Sequence, residues 1–125
     1  MADRRKLVPD SAHPITIAPT AGRVVVSRRG RVLADSTQAL TLQEASYPPV
    51  QYLPLVDVDA TVLERSEHST YCPYKGVAGY FRVVTDGEVL DDVVWFYDDP
   101  YAPVAAIAGH VAFYADRVDV TVHAR

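Results

Sequence analysis

One cysteine in 125 residues excludes an intramolecular disulfide framework and any multi-cysteine zinc site. Long apolar runs are missing too. Nowhere do about 18 apolar residues follow one another, the length a membrane-spanning helix needs. Behind the charged residues 1–6 there is no apolar run of about 7–15 residues to act as an export signal. Basic charge is scarce: Lys+Arg 12 against Asp+Glu 16 leaves a net charge of −4. That balance argues against a broad electrostatic surface for nucleic acid. Neither a nucleic-acid nor a membrane partner is therefore expected, and a lone thiol without an export signal is expected in a reducing cytoplasm.

Valine dominates what is present, with 20 copies against 8 of leucine. Its branched Cβ is stiff in helices and packs well on a pleated sheet, so the bias favours strands. Residues 23–27 and 31–35 flank Arg28-Arg29-Gly30 and read as a hairpin. Residues 80–84 and 89–97 flank Asp86-Gly87, a pair suited to a type I′ turn. Ile15-Thr16-Ile17 and the run 39–44 alternate as strands do. Pro48, Pro49 and Pro54 predict an edge crossing or a loop with a short helical turn over residues 47–58. Only residues 103–108, ending at Gly109, look helical. These patterns predict a mainly β chain of eight to ten short strands with one short helix near the C-terminus. A flexible segment over residues 1–12 is expected to precede a single domain over residues 13–123.

Several residues could carry chemistry. Cys72 lies three positions before Lys75, and a turn between them would bring the ammonium towards the thiol, favouring the nucleophilic thiolate. The same cysteine also fits a small buried apolar position. His13, His68, His110 and His123 show no metal-ligand spacing, so no metal site is expected. His110 enters the apolar run Val111-Ala112-Phe113, where a hydrogen-bonded structural role competes with acid–base or binding work. Asp57-Val58-Asp59 could hold Mg²⁺ in nucleotidyl transfer, but no glycine-rich phosphate cradle precedes it. Twelve aromatic residues, including Tyr52, Tyr74 and Trp95, would serve either as core or as walls for a planar ligand.

Several blocks together resemble one family. They are His13-Pro14-Ile15-Thr16-Ile17, Glu44, Tyr52-Leu53-Pro54 with Asp57-Val58, Tyr71-Cys72-Pro73-Tyr74-Lys75-Gly76, Trp95-Phe96-Tyr97, and Gly109-His110 with Ala112-Phe113-Tyr114. The chain is similar to the DUF427 family of small, mostly bacterial proteins of unknown function. The resemblance implies two antiparallel sheets meeting at an angle, a β-tent like that of Mss4-like proteins, without the zinc that cysteine pairs hold in those relatives. A nucleotidyltransferase-style label also attaches to the family, and a fold or label alone does not establish activity. Where the family often has a basic residue after the proline, this chain has Leu55 and Val56.

The leading expectation is a cleft where the sheets meet, binding a small polar or aromatic molecule. Glu44, Tyr52, Tyr74, Trp95 and His110 would be its binding residues, with Cys72, Lys75 and Asp57 as catalytic candidates. In a reaction, Lys75 would stabilise negative charge, Asp57 or Glu44 would act as base, and Cys72 as nucleophile. No cofactor is implied. The alternatives are a non-catalytic interaction module held by the same polar network, a nucleotidyltransferase-like enzyme, and homodimerisation through an edge strand in residues 23–35.

Overall fold

Alternating valine-rich segments form strands through most of the chain, in a computed structural model that describes residues 5–124. In order they are β1 (Ile15–Pro19), β2 (Arg23–Arg28), β3 (Arg31–Ser36), β4 (Leu40–Glu44), β5 (Val50–Pro54), β6 (Leu63–Cys72), β7 (Gly76–Thr85), β8 (Glu88–Tyr97), β9 (His110–Phe113) and β10 (Asp119–His123). One sheet has seven strands in the order β1-β4-β5-β9-β8-β7-β6, and the other has three, β10-β2-β3. Every pairing is antiparallel, which the short turns of β2–β3, β6–β7 and β7–β8 require of those pairs. The mainly β architecture with two antiparallel sheets is the one expected, and neither sheet closes into a barrel.

Both predicted hairpins form. Arg29 (φ 50) with Gly30 (φ 82), and Asp86 (φ 50) with Gly87 (φ 76), supply the paired positive φ angles of type I′ turns. Two predicted segments differ from expectation, and one strand forms where none was predicted. Within residues 47–58, β5 is an interior strand paired with both β4 and β9. Its proline does no harm because Pro54 is the last residue, and the expected helical turn follows as the 3-10 turn Leu55–Asp57. The polar run of β6 is a ten-residue edge strand, where outward polar side chains meet solvent. The C-terminal helix is a 3-10 segment, Ala102–Ile107, kinked at Val104 (φ −119). Of the segment 1–12, residues 1–4 lie outside the described residues, while Leu7 N–H donates to Pro73 O at 2.9 Å.

Strand alternation gives the seven-stranded sheet two buried faces. Val94, Phe96, Val111, Phe113 and Leu53 pack with Val24, Val26 and Leu33 of the three-stranded sheet. Trp95, Tyr97, Ala112 and Tyr52 face the other way, towards Val104 and Ile107 of the 3-10 segment.

The sheet has a seam. β5 and β9 share only the pairs Leu53↔Val111 and Pro54↔His110. Beyond them, Tyr52, Gln51 and Val50 continue along β4, whereas Ala112 and Phe113 continue along β8. The two edges part, and a cavity of about 680 Å³ opens between them.

Candidate functional site

The cavity is walled by Val50 and Tyr52 on one side and Phe113 and Tyr114 on the other, with Val120 and Val122 reaching in from the three-stranded sheet. Its size falls within the roughly 300–1,000 Å³ typical of small-molecule sites. Among the lining residues Glu44 and Lys75 are the only ones that carry charge at neutral pH.

Backbone geometry turns Lys75 inward. Cys72 pairs with Gly76 across the β6–β7 connection, leaving Pro73, Tyr74 and Lys75 as the loop. Lys75 N–H donates to Cys72 O at 3.2 Å, and Lys75 O accepts from Tyr101 N–H at 3.0 Å. Gly76 completes the bend at φ +110, a conformation that side chains rarely adopt. The lysine side chain is left 8% exposed, with Nζ donating to Glu44 Oε1 at 2.5 Å. Cys72 Sγ lies 3.8 Å from the same nitrogen.

Glu44, at the end of β4, accepts a second hydrogen bond on Oε2, from His13 Nε2 at 2.8 Å. The antiparallel pair Ile15↔Glu44 brings the residues just before β1 alongside it. Tyr74 stacks on the His13 ring, with centroids 4.1 Å apart and planes 6° from parallel. Burial pushes the Glu44 carboxyl up, but the hydrogen bonds from Lys75 and His13 outweigh it and hold the group below its ordinary range.

Phenols form the rest of the floor. Trp95 Nε1 donates to the Tyr52 hydroxyl at 3.1 Å, and the two rings meet edge-on. Burial raises the pKa of Tyr52 and Tyr97 well above the ordinary tyrosine value, and with the Tyr80 hydrogen bond raises Tyr114 to about 12. All three therefore keep their protons at neutral pH.

Of the residues singled out from sequence, Glu44, Tyr52, Lys75 and Trp95 line this cavity. Tyr74 and Cys72 stand behind it, each touching a member of the polar group. Two residues lie elsewhere. Asp57, in the 3-10 turn after β5, accepts from Ser36 Oγ at 2.6 Å and is not a lining residue. Asp59 instead caps the next turn through Thr61 and pairs with Arg31, so this Asp-x-Asp splits between separate partners. His110 shares a different hollow, of about 130 Å³, with Arg65 and Asp98, its Nδ1 2.9 Å from Ala108 O. No three His, Cys, Asp or Glu side chains are grouped to hold a metal ion among the described residues.

His13 and Tyr97 belong to the site without having been selected from sequence. His13 stood inside a family-like block, and the strand pairing beside it was the signal that would have placed it. Tyr97 ends an apolar run whose two faces cannot be told apart before the sheet is known.

The family comparison agrees with these blocks. A family model described as a domain of unknown function, DUF427, matches residues 16–124. The chain belongs to the DUF427 family. No curated protein matches it. Among the described residues no helix is long and apolar enough to cross a membrane.

Proposed function

We propose that this DUF427 protein binds a small molecule with aromatic and polar parts in the seam between β5 and β9. The observation that carries this reading is the Glu44–Lys75 pair, largely buried yet set on the wall of an open cavity. Desolvating two charges costs several kcal/mol per ion before their attraction is counted, so a core gains little from such a pair. A ligand site gains polar groups fixed in position, among walls that shield them from water. The lone thiol beside the ammonium is compatible with the cytoplasmic placement expected from the sequence.

A structural reading has its own support. His13, Glu44 and Lys75 tie the N-terminal segment, β4 and the β6–β7 loop together. Two variants separate the readings. Lys75→Met leaves a carboxylate without its cation and should cost about 3–5 kcal/mol in urea unfolding. Glu44→Gln/Lys75→Met removes both charges and, on the binding reading, should return stability to near the parent value. Trp95 is the only tryptophan and lies on the cavity wall, so its emission reports ligand entry. An aromatic fragment that perturbs this emission in the parent should fail to do so in the double variant. If the double variant is as unstable as the single one, and fragments act equally on it, the pair is a structural tie and not a binding element.

A further inference from the structure

A phenol on the cavity wall has an unused hydroxyl among the described residues. Tyr97 is 7% exposed, and its hydroxyl has no hydrogen-bond partner among the described residues. It is not sealed in, because among the described residues Thr85 Oγ1 is the only fully enclosed side-chain polar atom left unpaired. Tyr97 lines the seam together with Tyr52, Tyr80, Glu44 and Lys75, which places it at the polar floor. Its proton is therefore available to an acceptor that enters the seam.

The other floor groups are short of acceptors as well. Tyr52 oxygen already takes the Trp95 N–H, so its own proton remains to be given. Lys75 Nζ has three protons, and Glu44 and the distant Cys72 sulfur take two of them. Glu44 meanwhile accepts on both oxygens, from Lys75 and His13. The floor therefore offers donors, while its charges cancel within the Glu44–Lys75 pair. An anionic ligand would lie beside the Glu44 carboxylate with no unpaired cation on the wall. A cationic one would have to compete with Lys75 for that carboxylate.

We infer that the seam takes an uncharged aromatic molecule whose carbonyl oxygen enters first and accepts from the Tyr97 hydroxyl and the spare Lys75 proton. Amides, lactams and quinone-like rings carry this chemistry, and the apolar walls cover the remaining ring surface. The inference rests on the binding reading above and deepens it.

Four probes of one shape test it: 1-naphthamide, 1-naphthoate, 1-naphthylmethylamine and naphthalene, each titrated at pH 7.5 against Trp95 emission and the single indole N–H resonance. The amide should bind at least tenfold more tightly than either charged probe and severalfold more tightly than naphthalene. Tyr97→Phe should weaken the amide about fivefold and leave naphthalene unchanged, which a general loosening of the site would not do. Naphthoate binding as tightly as the amide, or an amide insensitive to Tyr97→Phe, would overturn the inference while sparing the seam as a binding site. Silence from all four probes would overturn both.

Discussion

The two faces of the seven-stranded sheet are built from the same strands yet do different work. On the face towards the three-stranded sheet the buried cluster is hydrocarbon, with Val24, Val26, Leu33, Val83, Val93 and Val94 each 0% exposed. On the opposite face the buried cluster includes Tyr52, Tyr80 and Tyr97, with Cys72 and Trp95 packed against it. Alternation along β9 and from Val94 to Tyr97 of β8 sends successive residues to opposite faces, so one strand feeds both environments. Hydrocarbon packing on one side supplies stability. That leaves the other side able to carry phenols, a thiol and an ion pair that contribute little to it.

The largest test of that division is a cavity in the hydrocarbon face. Leu33→Ala should cost about 3 kcal/mol, the middle of the range for buried leucine truncation. It should leave the Trp95 emission spectrum unchanged, because the indole belongs to the opposite cluster. A shifted spectrum would mean that the faces are mechanically one core.

The second test is pH. The Glu44 carboxyl is held below its ordinary value of 4.5 in the folded protein. Its contribution to stability is thus complete above that pH and is lost as pH falls through the lower folded value. Asp35, Asp59 and Glu88 are depressed as well by their own hydrogen bonds, so acid will destabilise the parent through several groups. The informative quantity is the difference between parent and Glu44→Gln in urea midpoint from pH 7 to pH 3. That gap should narrow as the medium becomes acid. A constant gap would show that the carboxylate gains nothing from Lys75 and His13.

How much of this was readable beforehand depended on whether a signal was local. Turn chemistry is local, so Arg29-Gly30 and Asp86-Gly87 announced both hairpins. Strand β5 was hidden because sequence does not reveal that Pro48 and Pro49 fall before it and that Pro54 is its last residue. Strand β6 was hidden because an edge strand needs little apolar patterning: only Ser66 is buried, with Leu63, Tyr71 and Cys72 partly so at the ends. The encounter of Lys75 with Glu44 spans 31 residues and was expected only through family resemblance. The seam itself depends on two strands parting after two pairs, a property of register and twist that no single segment records.

The smallest expected effects come from two tyrosines in one cluster, and they sharpen the contrast most. Tyr52→Phe removes the acceptor of the Trp95 indole N–H, leaving a donor unpaired beside the cavity, and should cost about 1–2 kcal/mol. Tyr97→Phe removes a hydroxyl that bonds to nothing, so the cost should be below about 0.5 kcal/mol and a small gain is consistent with losing an unsatisfied group. Both residues are more than nine-tenths buried, and both changes delete a single oxygen from the same face. Burial alone therefore predicts equal effects, whereas hydrogen-bond accounting predicts that only Tyr52 supports the fold. Equal losses in paired urea titrations would mean that the Tyr97 hydroxyl already has a partner, such as an ordered water. An unequal pair of losses would identify it as the group that stability does not require and that a ligand is left to satisfy.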